Sequence, residues 1–413
     1  MQSSGSQWVE ARQSRKGIGA RRKGQSLMSA DASSSDKRTP PIVVWRQTPL
    51  DIEGPFYDKV FEKSEGCVAY MMPFAPERRR IQWPAVNAPQ TVIGTGRNSW
   101  RRARQIVEEY PGAAHLFYGL RGGMMRYVAI ARADANARVI IIAERPNDHG
   151  KTITGLIANF LSSCVYMYLA ARTRSKIDGF LAMGERGVAE YSSLGFPRDK
   201  LFPFMYVAWS TPPAASPSSG GEELKCVYIG RMDAAIKGVD VLLRAIDMLP
   251  EEGFRFDFVG DYGGYLGEVQ EAVSKDPRLR HLGSWHPKDV VARLAGYDCC
   301  LVPSRHEGWN VNVNHALNAG IPVIVTEDAT SNDLVASSRA GRVIRSGDAS
   351  DLARELLAME RDRSRLEGYR SAALEFRERI SLNSASEYLW DVIRYVAADA
   401  RGPRPIAPWG VRL

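Results

Sequence analysis

A chain of 413 residues, 44% hydrophobic and 25% charged, has the length for two domains of ordinary size and the composition of a globular protein, which excludes disordered and fibrous classes. Its formal net charge is +8, but eight Lys or Arg against three acids in the first forty residues supply +5, leaving +3 for the rest. A nucleic-acid binder keeps its basic charge on a folded face, so nucleic acid is set aside as a partner.

Residues 1–39 are rich in Ser, Gly, Gln, Lys and Arg and poor in apolar groups, and read as a disordered basic tail. They also lack the apolar core of a secretory signal. From Pro41 onward, short apolar runs alternate with helical patterns. PIVVW (41–45), CVAYMM (67–72), AAHLFYGL (113–120), ARVIIIAE (137–144) and DGFLAMG (178–184) read as strands, with helices at 100–110, 124–133 and 156–173. RQTPLDIEGPF, after the first strand, reads as a loop with a single glycine, Gly54. This alternation predicts parallel βαβ units, and near-continuous apolar strands suit a sheet covered on both faces. The longest apolar stretch, LIANFLSSCVYMYLAA (156–171), is one helix long but short of the ~20 residues that span a bilayer, which predicts a buried or surface-lying helix.

TPPAASPSSGGEE (211–223) reads as a linker between a first domain, 40–210, and a second, 224–380. The second repeats the alternation. KCVYIG (225–230), FRFDFVG (254–260), CCLVPS (299–304) and IPVIVT (321–326) read as strands. Helices are predicted at 239–249, 288–296, 311–319 and 350–359, the last behind the caps Asp348 and Ser350. The remainder, 381–413, contains a helix at 383–397 that crosses back to the first domain. The expected fold is therefore α/β, two tandem doubly wound Rossmann-like domains facing a cleft. Ligands bind beyond the carboxyl ends of such strands, so the two domains build one site between them. Five cysteines, Cys67, Cys164, Cys226, Cys299 and Cys300, include no CxxC pair. Those in apolar runs predict buried reduced thiols and a reducing, cytoplasmic compartment.

The sharpest motif is YIGRMDAAIKGVDVLL (228–243). A strand ends at Gly230, Arg231 follows at its carboxyl tip, and Lys237 precedes Gly238 and a helix. Helix N-termini favour anions, and two cations there would neutralise a diphosphate. Taken alone, the pattern equally fits a solvated loop with two surface charges. Glu307 lies beyond the strand end at Ser304, where a carboxylate could accept sugar hydroxyls while Gly308 lets backbone approach a ligand. A helix-start Glu favoured by the dipole is the plainer alternative. In the first domain, ERPNDHG (144–150) follows a strand, making Glu144, Asp148 and His149 candidate cleft residues. A solvated loop histidine is the alternative for His149.

From Val227 to about Leu357 the chain resembles the donor domain of the retaining GT-B glycosyltransferases of glycosyltransferase family 4, the group 1 glycosyl transferases. GRMDAAIKG is similar to that family's G-R-x5-K-G loop and PSRHEG to its P-S-x-x-E-G. HALNAGIPVIVT is similar to its E-A-x-x-x-G-x-P-V-I-x-T except at one position, and DYGGYLGEV and HLGSW (281–285) fit its middle turns. KIDGFLAMGERGVAEYSSLGFPRDKLFPFMYV (176–207) resembles, more weakly, the last unit of the family's first domain.

The resemblance implies a donor site of Gly230, Arg231, Lys237, Glu307, Gly308, Trp309, Asn310 and His315. Arg231 and Lys237 would hold the diphosphate of a UDP- or GDP-linked sugar, and Glu307 the sugar hydroxyls. His315 stands where the family's second Glu contacts the ribose. A neutral imidazole cannot grip two hydroxyls as a carboxylate does, so altered donor binding is expected. An ordinary helix-core histidine is the alternative at 315, against which Asn312 and Asn314 beside it suggest a polar wall. The catalytic set implied is Glu307, Arg231, Lys237 and His149, with Gly54, Glu144 and Asp148 on the acceptor side, no metal, and no cofactor beyond the donor substrate. The implied reaction moves a hexose, with retention at the anomeric carbon, to a hydroxyl of a glycan or lipid-linked acceptor. Retaining members of this fold lack an evident nucleophile, and the leaving diphosphate helps deprotonate the incoming hydroxyl. The alternative is a degenerate homologue that binds nucleotide, sugar or a partner without turnover. The basic tail, with Arg78-Arg79-Arg80 and Arg101-Arg102-Arg104 near the apolar helix, adds the expectation of an anionic membrane surface on which the protein sits peripherally. Merely solubilising charge is the alternative.

Overall fold

Strands buried on both faces belong in parallel sheets, and the chain builds two of them. The computed structural model describes residues 39–50, 52–72, 86–96, 98–121, 123–146, 153–207 and 221–410. In the first lobe the order along the chain is β1 (Ile42–Arg46), α1 (Gly54–Phe61), β2 (Gly66–Tyr70), β3 (Gln90–Val92), α2 (Ser99–Glu109), β4 (Ala114–Tyr118), α3 (Met124–Ala131), β5 (Arg138–Ala143), α4 (Ile153–Thr173), β6 (Gly179–Met183), α5 (Gly184–Ser193) and β7 (Leu201–Phe204). The second lobe runs β8 (Leu224–Ile229), α6 (Val239–Ile246), β9 (Phe254–Val259), α7 (Leu266–Lys275), β10 (Leu279–His281), α8 (Val290–Leu294), β11 (Cys299–Val302), α9 (Val311–Ala319), β12 (Val323–Thr326), α10 (Asn332–Ser338), β13 (Gly341–Ile344), α11 (Ala349–Arg361), α12 (Arg363–Phe376) and α13 (Leu382–Ala397).

The strand orders are β3-β2-β1-β4-β5-β6-β7 and β10-β9-β8-β11-β12-β13. Every pairing is parallel. Each order reverses at one point, between β1 and β4 and between β8 and β11. Loops leave the sheet in opposite directions there, and a crevice opens beyond the carboxyl ends. Arg46 and Tyr118 end the two strands at the first switch point. Gly230 and Pro303 follow the two strands at the second.

One apolar core is shared by both lobes. It joins Ile42, Val44 and Ile140 of the first sheet to Val227, Cys300 and Val323 of the second, and takes in Leu389 and Trp390 of α13. Helix α13 leaves the second lobe and packs against α1 of the first. Its Val396 approaches Gly179 so closely that a Cβ there would lie 3.0 Å away.

Three readings of the sequence change. Gly54 does not sit in a loop but opens α1 and is buried, with Pro55 in the first turn, where its missing N–H and fixed φ suit a helix start. A side chain at Gly54 would strike Val86. The apolar helix is longer than its apolar run and, by length and composition, is the one helix among the described residues able to cross a membrane. It is nevertheless the crossover between parallel neighbours β5 and β6, fixed at both ends. The short edge strands β3 and β10 are three residues each and carried no readable pattern. Cys67, Cys226, Cys299 and Cys300 are buried and free, whereas Cys164, on α4, is exposed. Residues 1–38, Arg78-Arg79-Arg80 and residues 211–220 of the expected linker (211–223) lie outside the described residues.

A buried ion pair anchors α12 under the second sheet. Arg370 donates to Asp298, ahead of β11, and both side chains are almost fully buried. The other oxygen of Asp298 accepts the Lys225 N–H at 2.8 Å. Removing the acid leaves a buried guanidinium without its main partner. Asp298→Ala is therefore expected to cost about 3–5 kcal/mol of unfolding free energy in urea titration, with part recovered in Asp298→Asn/Arg370→Met.

Candidate functional site

The second switch point is built by two loops that touch. In the β8–α6 loop, Asp233 accepts the Ile236 N–H on Oδ1 at 2.8 Å and the Lys237 N–H on its carbonyl at 3.2 Å. Gly238 then takes φ +66° as N-cap of α6, and a side chain on it would strike the Pro303 carbonyl. Only glycine meets both demands. Arg305 locks the same loops with a two-pronged bond to Asp240, at 3.0 and 2.6 Å.

This contact delivers the Lys237 ammonium to Glu307 Oε1 in an ion pair that is largely buried. Glu307 Oε2 accepts from Ser304 Oγ and from Asn310 Nδ2, each at 2.9 Å. The Glu307 carbonyl accepts from Thr330 Oγ1 at 3.0 Å. Asn310 serves twice, since its Oδ1 also caps α9 by accepting the Asn312 N–H at 3.0 Å. Arg231, on the same loop as Lys237, is half-buried and makes no ion pair among the described residues; its carbonyl accepts from the Tyr228 hydroxyl at 2.5 Å.

The first lobe meets this loop through Glu144 and Arg145, which follow β5. A Cβ on Gly308 would lie 2.5 Å from Glu144 Oε2. Glu144 Oε1 accepts from the Tyr206 hydroxyl at 2.7 Å. Arg145 donates to Glu190 at 3.0 and 2.7 Å and to Thr330 Oγ1 at 3.4 Å. Nearby, at the first switch point, Glu53 is 1% exposed. It accepts from Arg46 Nη1 at 2.5 Å and from the Tyr118 hydroxyl at 2.8 Å. The Tyr57 and Tyr118 hydroxyls share a 2.7 Å bond, and the Arg46 guanidinium lies 4.1 Å over the Tyr118 ring. Burial, and then the charge of Glu53, raise Tyr118 and Tyr57 above the usual phenol range. Tyr206 is raised by burial, then by Glu144 and by Glu53, which places both acids in one electrostatic neighbourhood. The phenols therefore stay protonated and donate.

The structure thus gathers Gly230, Arg231, Lys237, Glu307, Gly308 and Glu144 at one seam. Other expected donor contacts are used differently. Trp309 is buried, donates Nε1 to Asn314 Oδ1 at 3.0 Å, and lines a cavity of about 60 Å³ with Asp333 and Trp409. Asn310 is spent on Glu307 and the α9 cap. His315 is 3% exposed and its Nδ1 is buried without a partner. Asn312 and Asn314, expected as a polar wall, donate to the carbonyls of Ile229 at 2.9 Å and Tyr206 at 3.3 Å. The reason is that α9 is buried from Val313 to Ala319 and keeps no solvent side there. Gly54 lies under Val86, and its neighbour Glu53 is the residue tied to the switch point. Asp148 and His149 lie outside the described residues. Arg46, Glu53, Tyr118, Arg145 and Tyr206 escaped the sequence reading. Arg46 and Tyr118 end strands, which was the available signal; Glu53 looked like any loop acid.

The profile of the family described as Glycosyl transferases group 1 matches residues 223–362. Sulfoquinovosyl transferase SQD2 of Arabidopsis thaliana is 25% identical over 173 residues, 41% of this chain and 33% of that protein. Glycogen synthase of Thermus thermophilus is 35% identical over 119 residues, 28% of this chain and 26% of that protein. The chain therefore spans about a third or less of the length of these curated relatives. Anabaena Alr3699/HepE, crystallised in complex with UDP, is similar in structure with a TM-score of 0.64 at 13% identity, over 86% of this chain and 99% of that one. That likeness shows the fold, the GT-B arrangement of two facing Rossmann-like sheets.

Burial lowers the pKa of His315 from 6.5 to about 4, and that of His115 likewise, its Nδ1 accepting from the Trp45 indole at 3.0 Å. The native state then binds fewer protons than the unfolded chain. The stability both groups contribute is complete above pH 6.5 and is lost as pH falls toward about 4. Urea titrations across this range are expected to show a smaller pH slope for His315→Asn than for the wild type. His315→Glu is expected to lose about 3 kcal/mol or more at neutral pH, because a carboxylate is left in a dry site.

Proposed function

We propose that the protein is a family 4 glycosyltransferase that moves a hexose from a nucleoside diphosphate sugar to an acceptor hydroxyl with retention at the anomeric carbon. The observation that carries this reading is the Lys237–Glu307 pair, set at the switch point of the second sheet, on the loop of Arg231 and against Glu144 of the first lobe. The UDP in the Anabaena neighbour and the sugar-transferring relatives support a nucleotide-sugar donor.

Arg231 and Lys237 take the diphosphate. Lys237 exchanges Glu307 for a phosphate oxygen, and Glu307, kept in place on Oε2 by Ser304 and Asn310, offers the freed Oε1 to the sugar hydroxyls. As the bond from the anomeric carbon to phosphate oxygen breaks, the cations stabilise charge growing on the leaving group. The acceptor oxygen bonds to the anomeric carbon on the same face and gives its proton to the departing phosphate. The donor, UDP- or GDP-linked, is a substrate, and no resident cofactor is invoked. Glu53, Arg46, Tyr118, Tyr206 and Glu144 form the acceptor side, where alternating carboxylates and phenols suit a polyhydroxylated glycan head, free or lipid-linked. Lobe closure keeps out water, whose attack on the donor competes with transfer.

His315, in the place of the family's ribose-binding Glu, favours a second reading: nucleotide binding without turnover. Calorimetry with UDP and GDP, followed by product assay over a panel of nucleotide sugars, separates the two. Arg231→Ala and Lys237→Ala are each expected to weaken nucleotide binding by about one to two decades, the worth of a charge-assisted hydrogen bond at ~1.5–3 kcal/mol. Unchanged affinity in both variants overturns the diphosphate assignment. Tight binding with neither transfer nor donor hydrolysis moves the protein to the second reading.

A further inference from the structure

Fifteen large apolar side chains are exposed among the described residues, and eight of them lie on α4. Ile153, Phe160, Tyr168 and Leu161 lead them, at 79%, 67%, 60% and 59% exposure. A surface helix ordinarily turns its apolar stripe inward and its polar residues to water. Here the order is close to reversed. The inward stripe of α4 includes Ser162, Tyr166, Ala170 and Thr173. Arg121 pins it by donating to Ser162 Oγ at 2.7 Å and lying 4.5 Å from the Tyr166 ring centre. The outward side is apolar, and a patch of this kind marks a docking surface.

The charges around it define what docks. From Ile153 to Lys176 the chain contains no acid. Exposed Arg172, Arg174 and Lys176 collect at the C-terminal end, and the nearest acid in sequence, Asp178, is taken by Arg132 at 2.5 Å. Arg172 lies 5.7 Å from the Tyr168 ring centre. An apolar face ending in a tyrosine and a cationic collar matches a helix seated at the headgroup boundary of a bilayer. A second copy of this chain offers the collar no acid from the same face, whereas anionic lipid complements it.

We propose that α4 is a lipid-docking surface that lays the first lobe on an anionic membrane with the helix axis in the membrane plane. Both ends of α4 are tied to parallel strands, so it cannot turn to span. As the crossover from β5 to β6 it starts at the sheet end that carries Arg46, Tyr118 and Glu144. Docking by its first half therefore brings the mouth of the cleft beside the headgroups. This assigns the membrane contact to α4 rather than to residues 1–39, and it does not rest on the proposed reaction.

The test is co-sedimentation of the full chain with phosphatidylcholine vesicles, with and without phosphatidylglycerol, at low and high salt. Light scattering reports the oligomeric state alongside. Phe160→Ser/Leu161→Ser is expected to weaken binding to anionic vesicles by roughly tenfold or more. Arg172→Ala/Arg174→Ala/Lys176→Ala is expected to remove the preference for phosphatidylglycerol and the salt dependence. Nucleotide binding, unchanged in both variants, shows that they are folded. Pelleting that survives both variants but is lost on deleting residues 1–39 overturns the proposal in favour of the tail. A wild-type dimer that Phe160→Ser/Leu161→Ser dissociates, with no vesicle binding, assigns the face to a second copy instead.

Discussion

A carboxylate gripped on both oxygens cannot swing, and Glu307 is gripped further still. Lys237 holds one oxygen, Ser304 and Asn310 the other, and Thr330 takes the carbonyl of the same residue. Thr330 is in turn reached by Arg145 from the opposite lobe. The position of the acid is thus fixed by groups from the β8–α6 loop, the β11 loop, the start of α9 and the first lobe. Exchange of one partner, Lys237, leaves the others to preserve its aim. This is preorganisation in a physical sense: the reorientation cost is met in folding, before any ligand arrives.

The seam around Glu307 also carries two buried groups that titrate in opposite senses. Asp333 of α10 accepts the Glu185 N–H at the start of α5 at 2.7 Å, and burial raises its pKa from 3.8 to about 6. Its native form holds a proton that the unfolded chain gives up, so its contribution is complete below pH 3.8 and is lost as pH rises through about 6. His315 runs the other way across nearly the same interval. The two contributions to folding stability therefore offset one another in part on mild acidification, because what one group loses the other regains.

The sequence is most legible where chemistry and local geometry share one segment. Lys237-Gly238 shows why: the glycine is required by a positive φ against Pro303, and the lysine is the residue it delivers. Glu307-Gly308 is legible for the same reason. The acid–phenol cluster of the first lobe is not, because Arg46, Glu53, Tyr118 and Tyr206 come from separate segments with no spacing in common and meet only when β1 and β4 become neighbours. Trp309 and His315, expected at the donor site, are buried through a tertiary fact. Their motif positions are those of ligand contacts, but docking of the first lobe through Tyr206 and Asn314 closes α9 off from solvent. The helix at 156–171 reads from sequence as either buried or surface-lying, since apolar composition alone does not say which side of a helix the rest of the chain will cover.

Gly308 couples a side chain of the first lobe to the backbone of the second. It leaves the gap that the Glu144 carboxylate fills, and the far side of that carboxylate is tethered to Tyr206. A methyl group at 308 pushes on the end of a side chain rather than on backbone, so the fold tolerates it while Glu144 is levered off its tyrosine. A shorter acid at 144 relieves that pressure. Positions 144 and 308, in loops of different lobes, are thus sterically coupled, the room at one set by the side chain at the other.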